Sequence, residues 1–296
     1  MYRIVSRRLS WVSNWKDFVS KPCLVDSLGE TSFSDGDFWK KNVSIATAIS
    51  DPVGTKNSRV CILTENNREF LSSVFSCWMS GSSFVPLSPT HPLQQLQYYI
   101  EDCKPKALIT DKTNAHIAEK LLKFCKNLNI VVSEQHTNAK INAVQFFTKN
   151  AGQAFKVGPE SEAFVLYTSG TTGRPKGVSI SMKNLSTQVS AQTSVWKWTS
   201  NDVVLHALPL YHTHGLVNAL LVPIFNGATV ITLPKFSEQR VRNKLHLFTT
   251  INIDYRFSNI CREKNLVNEV QCRCSLLSPP CILNYWITFL NLVRPK

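Results

Sequence analysis

The sequence predicts an α/β protein with mainly parallel sheets and flanking helices. Three observations carry that class. Between residues 59 and 133, short apolar runs alternate with longer helical stretches, and strands separated by helices imply βαβ units in a mainly parallel sheet. A similar alternation resumes at residue 163, around a loop rich in glycine and hydroxyl groups. Finally, 43% of the 296 residues are hydrophobic, enough to build the core of one large domain or about two average ones.

Taken in order, Arg59 to Thr64 reads as a strand and Phe70 to Ser80 as a helix. Ser83 to Leu87 is the next strand and Leu93 to Cys103 the next helix. Lys106 to Thr110 (strand), Ala115 to Lys126 (helix) and Ile130 to Ser133 (strand) repeat the pattern. The polar stretch from Glu134 to Lys156 reads as an irregular connection. Ala163-Phe164-Val165-Leu166 has the character of a buried strand, and a helical pattern resumes from about Met182. Over 202–236 the order is strand, sharp turn at Pro209, helix and strand, with Asn226-Gly227 marking the second turn. No internal repeat or low-complexity segment is evident.

The run Tyr167 to Gly177 is the most informative segment, because a hydroxyl- and glycine-rich loop between an apolar strand and a helix has the composition of a phosphate cradle. Gly170, Gly173 and Gly177 permit backbone angles closed to other residues and let amides approach an anion, while Pro175 fixes one turn. Thr168, Ser169, Thr171 and Thr172 add hydroxyl donors, and Lys176 adds positive charge. The common phosphate-loop consensus has four residues between two glycines, then Lys and Ser or Thr. Here two residues separate Gly170 from Gly173, and Gly177 follows Lys176, which argues against an ordinary P-loop NTPase. A flexible surface loop would explain the composition but not the ordered Pro175-Lys176-Gly177.

His212 and His214 follow the strand that begins near Asp202. Open α/β sheets bind ligands beyond the carboxyl ends of their strands, so a histidine pair there can reach a substrate; the alternative is two turn histidines bonded to backbone. A metal site is not expected, because a single intervening residue is not helical ligand spacing and no Cys or carboxylate lies nearby in sequence.

The net charge of +13 raises nucleic acid or an anionic membrane as partners, but the 33 basic residues are scattered rather than gathered in an arm. With no zinc-finger spacing, aromatic RNA motif or basic helix, nucleic-acid binding is not expected. No uninterrupted apolar stretch reaches the roughly 18 residues of a membrane span. Residues 1–16 hold Arg3, Arg7, Arg8, Lys16 and several serines, with no acid before Asp17. That composition fits a mitochondrial presequence, with an ordinary basic terminus as the alternative. The nine cysteines read as thiols rather than a disulfide framework.

The string from Tyr167 to Gly177 closely resembles the phosphate-loop signature of adenylate-forming enzymes, the superfamily of acyl-CoA synthetases, luciferases and peptide-synthetase adenylation domains. Two further segments resemble mitochondrial malonyl-CoA synthetases. One holds Trp196-Lys197-Trp198-Thr199 and then the run from Asp202 to Leu220, with Leu208-Pro209-Leu210-Tyr211-His212-Thr213-His214-Gly215 at its centre; the other holds Ser76-Cys77-Trp78-Met79-Ser80-Gly81, Val85-Pro86-Leu87, His91-Pro92 and Leu96-Gln97-Tyr98. The likeness extends from about residue 58 to about residue 248.

This resemblance implies the amino-terminal part of an adenylate-forming synthetase large domain. It implies a chain that joins malonate or a related short carboxylic acid to ATP as an acyl-adenylate, and then to CoA as a thioester. ATP, Mg2+ and CoA are the implied cofactors and co-substrates, and the electropositive surface suits such anions. Thr168, Ser169, Gly170, Thr171, Thr172, Gly173, Lys176 and Gly177 are the implied phosphate-binding residues. His212 matches the family's Pro-Leu-aromatic-His motif, at the wall between nucleotide and acyl pockets, with His214 beside it. The implied location is the mitochondrial matrix, or the cytoplasm if residues 1–16 are not an import signal. No oligomeric state is indicated.

After about Phe248 the likeness stops. Residues 17–248 are therefore expected to form a partial AMP-binding large domain, and 249–296 a divergent tail with Cys261, Cys272, Cys274 and Cys281. The family's magnesium-holding Glu motif, ribose-binding Asp, hinge and catalytic lysine have no match, and Lys296 does not occupy such a motif. No complete catalytic set and no metal ligand is identified. The chain thus reads as a truncated relative, either still active or an inactive nucleotide-binding module.

Overall fold

A computed structural model describes residues 24–26, 35–53, 58–125, 128–133, 157–168 and 173–241. The basic terminus 1–16, the connection Glu134 to Lys156, the loop residues Ser169, Gly170, Thr171 and Thr172, and the tail 249–296 lie outside the described residues. The elements are β1 (Leu24–Asp26), α1 (Asp35–Val53), β2 (Arg59–Leu63), α2 (Arg68–Ser80), β3 (Ser83–Leu87), α3 (Leu93–Cys103), β4 (Ala107–Thr110), α4 (Ala115–Leu122) and β5 (Asn129–Val132). There follow β6 (Glu162–Thr168), β7 (Lys176–Ser181), α5 (Met182–Trp196), β8 (Val203–His206), a π-helical segment His214–Leu221 that runs into α6 (Val222–Phe225), and β9 (Thr229–Thr232).

Six strands form one sheet in the order β5-β4-β2-β3-β6-β7, and three form another in the order β1-β9-β8. Every pairing is parallel except β6 with β7, which run antiparallel. The central strands are apolar almost throughout because both faces of the larger sheet are covered. On one face Val60, Ile62, Phe84, Ile109, Phe164 and Leu166 pack with α1, α2, α5 and residues of the smaller sheet such as Val204 and Val230. On the other, Cys61, Leu63, Val85, Leu108 and Val165 pack with α3 and α4.

Helix α2 is the spine between the sheets. Its first turn is capped by the Asn67 side chain, which accepts from the amides of Glu69 and Phe70, and Gly81 ends it at φ 81°, a left-handed angle suited to glycine. Trp78, fully buried, donates from Nε1 to Ala163 O (3.0 Å) and stacks 6.3 Å from Phe225, so one side chain touches β6 and α6 together. Lys41 of α1 forms a buried ion pair with Glu69, whose carboxylate also accepts from Arg68 Nε at 3.2 Å.

The amino-terminal ends of the strands are fastened by Glu162. Arg59 donates to it twice (Nε to Oε1 and Nη2 to Oε2, both 2.8 Å), Ser83 donates to Oε1 at 2.6 Å and Ser179 to Oε2 at 2.7 Å. Four neighbouring strands, β2, β3, β6 and β7, thus share one carboxylate. Burial alone would raise the Glu162 pKa, but the bonds from Arg59, Ser179 and Ser83 outweigh it and hold the carboxyl at about 2.

The sequence-predicted strands and helices from Arg59 to Ser133 all form, with ends shifted by a few residues, and the 202–236 segment has the expected order. Two corrections are needed. The helix beginning at Met182 does form, capped by Ser181 and Asn184, but it does not follow the glycine-rich loop directly. Strand β7 intervenes, so Lys176 and Gly177 belong to a strand rather than to a loop entering a helix. Helix α1 and strand β1, which the sequence does not predict, complete the layers.

Because the folded pKa of Glu162 lies below its ordinary value of 4.5, its contribution is full above about pH 4.5 and fades as pH falls toward about 2. The Arg59 side chain is 37% exposed, so solvent screens part of the pair. We expect Glu162→Gln to cost about 2 kcal/mol at neutral pH, with the gap to the parent closing as the medium is acidified. Urea unfolding of both chains at neutral pH and near pH 3 checks this.

Candidate functional site

The hydroxyl- and glycine-rich segment closes a β-hairpin. Thr168 is the last residue of β6, Lys176 the first of β7, and the two are partners in the antiparallel register. Residues directly opposite one another put their side chains on the same face. That face is set by alternation: Phe164 and Leu166 point into the core shared with the smaller sheet, and Thr168 continues their row. The Thr168 hydroxyl and the Lys176 ammonium therefore emerge together on the side facing the smaller sheet, both exposed. Gly173 has φ 153°, an angle L side chains rarely adopt, although space around it is open. Gly177 answers a different need, since an added Cβ would press on Val165 and on the ring of its partner Tyr167 at 3.1–3.4 Å.

The carboxyl ends of β2 and β3 form a natural crevice. The helix after β2 lies on one face of the sheet and the helix after β3 on the other, so the two connections part, which is where open α/β sheets bind ligands. The turn after β8 docks there. Asn66, just past β2, donates from Nδ2 to Leu208 O at 2.7 Å, and the His91 ring, past β3, lies 4.8 Å from Tyr211. Next to this crevice β3 and β6 pair in register at Phe84 and Phe164; two residues further on, Pro86 has no N–H to extend the ladder.

Ring contacts connect the hairpin to the histidine turn. Tyr98 lies 5.8 Å from Tyr99, Tyr99 is 5.8 Å from His91, His91 is 4.8 Å from Tyr211, and Tyr211 is 4.5 Å from His212. At the hairpin, Tyr98 Oη donates to Pro175 O at 2.7 Å, and the Arg174 guanidinium sits 5.5 Å from the Tyr98 ring centroid. Thr168, Gly173, Lys176, Gly177, His212 and His214 are thus on elements bound to one another through α3 and the β8 turn. Tyr98, His91 and Asn66 were not singled out as site residues from the sequence. His91 and Tyr98 stand in one of the runs that carry the family resemblance, with no role attached to either.

The histidines differ in role. His212 stands at the exposed end of the ring run, and loss of surrounding water lowers its pKa. His91 is lowered likewise, by burial first and then by His212. His214 bonds through Nδ1 to Asn218 Nδ2 (3.0 Å), and Asn218 Oδ1 accepts from Gln192 Nε2 (2.6 Å). The Gln192 contact makes the Asn218 amide the donor to Nδ1, which favours neutral His214 with its proton on Nε2. His206, absent from the sequence-based site, is fully buried and donates from Nε2 to Gly215 O at 3.0 Å. Gly215 is required there, because a Cβ would overlap the Pro209 carbonyl oxygen. His206 Nδ1 and Thr232 Oγ1, register partners on β8 and β9, are both buried without a hydrogen-bond partner. The following segment is π-helical, a form often found at functional sites.

Residues 12–256 match the family model described as AMP-binding enzyme. The chain is 32% identical over 237 residues to malonate–CoA ligase ACSF3, mitochondrial, of Xenopus laevis, covering 76% of this chain and 39% of that protein. It is 32% identical over 233 residues to the Homo sapiens protein of the same name, covering 77% and 39%. Among solved structures, ATP-bound MatB from Rhodopseudomonas palustris superposes with a TM-score of 0.63 at 26% identity, over 80% of this chain and 47% of that one. The o-succinylbenzoate CoA synthetase MenE from Bacillus subtilis, with its acyl-adenylate intermediate, shares the fold at a TM-score of 0.66 and 22% identity, over 81% and 46%. The chain therefore spans well under half the length of these curated relatives.

Burial lowers the His206 pKa from 6.5 to about 4, against the opposing pull of the Gly215 bond. The folded value lies below the unfolded one, so the unfolded chain binds more protons in this window and stability falls as pH drops through it. We expect a loss of about 2–3 kcal/mol between pH 6.5 and pH 4 from this group. His206→Gln, which keeps a donor for Gly215 but does not titrate, should flatten that part of a stability-against-pH curve measured by urea unfolding.

Proposed function

This chain belongs to the AMP-binding enzyme family, and from that membership we propose that it activates a short carboxylic acid, malonate first, to its CoA thioester. In the first step a carboxylate oxygen bonds to the α-phosphorus of ATP and pyrophosphate leaves. In the second the CoA sulfur bonds to the acyl carbon, its proton is lost and AMP leaves. The relatives named as malonate–CoA ligases support the choice of acid.

The observation that carries this reading is the pairing of Thr168 with Lys176 at the hairpin mouth, on the face toward the smaller sheet and linked to His212. An anionic nucleophile must approach an anionic phosphate, so positive charge and hydroxyl donors aimed at the outer phosphates favour the transition state. In this proposal Thr168, Ser169, Thr171, Thr172 and Lys176 hold the β- and γ-phosphates, with the amides of Gly170, Gly173 and Gly177 alongside. His212 lines the wall between nucleotide and acyl group, backed by His214. Magnesium ions travel with ATP in such chemistry, but among the described residues no group of three His, Cys, Asp or Glu side chains could hold one; no protein ligand is assigned to it. The basic, acid-free residues 1–16 and the mitochondrial names of the relatives support import into the mitochondrial matrix.

Purified protein supplied with ATP, magnesium and malonate should release pyrophosphate in a malonate-dependent way. Lys176→Ala should cut that release by about ten-fold or more with little change in unfolding midpoint, because Lys176 is exposed. Equal release from both chains would overturn the phosphate assignment. A folded chain that ATP stabilises but that releases nothing would be a nucleotide-binding module without the ligase step. Where release occurs, His212→Ala should change the preference among carboxylic acids more than the KM for ATP, as a panel of short mono- and dicarboxylates would report.

A further inference from the structure

We propose that helix α3 sets the ATP-over-AMP preference of the site, with Tyr98 and Tyr167 as positioning residues that fix the mouth of the phosphate hairpin. This deepens the proposed function and rests on its reading of the hairpin as the phosphate cradle.

The two strands of the hairpin are tied to the same turn of α3. On the β6 side, Tyr167 immediately precedes Thr168; its Oη donates to Asp102 Oδ2 at 2.6 Å and approaches Tyr99 O at 3.3 Å, with its ring 4.2 Å from that of Tyr99. On the β7 side, Pro175 immediately precedes Lys176 and its carbonyl accepts from Tyr98 Oη at 2.7 Å, while Arg174 lies over the Tyr98 ring. Tyr98 and Asp102 are four residues apart and so share one face of α3. Gly173, which lies between these ties, has φ 153°, an angle that glycine adopts more readily than residues with a side chain. Without an outside anchor, the separation and tilt of Thr168 and Lys176 would rest on the β6–β7 ladder alone, of which they are the last pair, with β7 at the edge of the sheet.

Both tyrosine rings have packing roles that phenylalanine would keep. Their hydroxyls have another task, because each ends on the backbone or on a side chain that fixes the hairpin relative to the larger sheet. A shift at the mouth would be felt by a ligand bearing β- and γ-phosphates and not by one bearing the α-phosphate alone. A residue that only supported the fold would affect both nucleotides alike.

The test is calorimetric titration of the 296-residue chain with ATP and with AMP, for the parent, Lys176→Ala, Tyr98→Phe and Tyr167→Phe. The parent should bind ATP more tightly than AMP, and Lys176→Ala should remove the difference. Tyr98→Phe and Tyr167→Phe should each raise the Kd for ATP by about five-fold, the effect of one lost hydrogen bond, and leave the Kd for AMP within about two-fold. Equal weakening of both nucleotides, or no weakening of ATP in either variant, overturns the inference while leaving the phosphate hairpin intact. A parent that does not prefer ATP, or a Lys176→Ala chain that keeps the preference, overturns the hairpin reading and this inference with it.

Discussion

The reversal of helix side between β2 and β3 is the constraint on which the rest of the structure depends. Adjacent parallel strands whose following helices pack on opposite faces cannot keep their connections together, and the sheet opens at that point. Here the opening is filled by neither strand's own loop but by the turn after β8, held by Asn66 on one side and His91 on the other. The smaller sheet is thereby brought against the larger one with its carboxyl ends at the same edge. Trp78 secures the same arrangement from within, through its bond to Ala163 and its stacking on Phe225.

The two ends of the larger sheet are chemically unlike. At the amino-terminal end, Glu162 is satisfied by Arg59, Ser83 and Ser179, an arrangement that is costly to disturb because its polar groups are partly withdrawn from water. A shallow cleft of about 790 Å³ lies at this end, lined by Arg59, Cys103, Lys104, Lys106 and Glu162 among others. Its size alone does not make it the better site, since Arg59 and Glu162 already meet each other's charge. At the carboxyl end, by contrast, lie the Thr168 hydroxyl, the exposed Lys176 and imidazoles with lowered pKa values. In the function proposed above, imidazoles kept neutral near physiological pH would line the acyl pocket without placing fixed cations beside the nucleotide.

Much of the fold was legible because the larger sheet is buried on both faces and its strands are short apolar runs. Helix α1 is hard to read from sequence because its buried positions Val43, Ala46 and Ile49 are diluted by Lys41 and Asn42, both buried. Lys41 is tolerated there only because Glu69, 28 residues away, supplies its counter-charge; nothing local announces such a partner. Strand β7 is hidden in the sequence for the opposite reason. It is an edge strand, mostly exposed, and the alternation of Val178 and Ile180 was masked by Gly177 and two serines. The candidate loop was visible from composition, whereas its ties to Tyr98 and Tyr167 join residues 65 to 77 positions apart and follow from no periodicity.

The presence of β7 changes how a phosphate would be held. In a P-loop the glycine-rich turn opens directly into a helix, and the helix dipole with its free amides supplies much of the attraction. Here the residue after the loop is paired in a strand, and α5 starts only at Met182, its first turn already capped by Ser181 and Asn184. The proposed cradle therefore depends on loop amides, hydroxyls and the single ammonium of Lys176, none of which has a helix behind it to fix its direction. Rigidity at the mouth comes from outside the hairpin as well, where α3 bonds beside both Thr168 and Lys176, through Asp102 to Tyr167 and through Tyr98 to Pro175. A phosphate loop of this kind is set by tertiary contacts rather than by its own secondary structure, so its geometry can be adjusted from a neighbouring helix without altering any residue that faces the nucleotide.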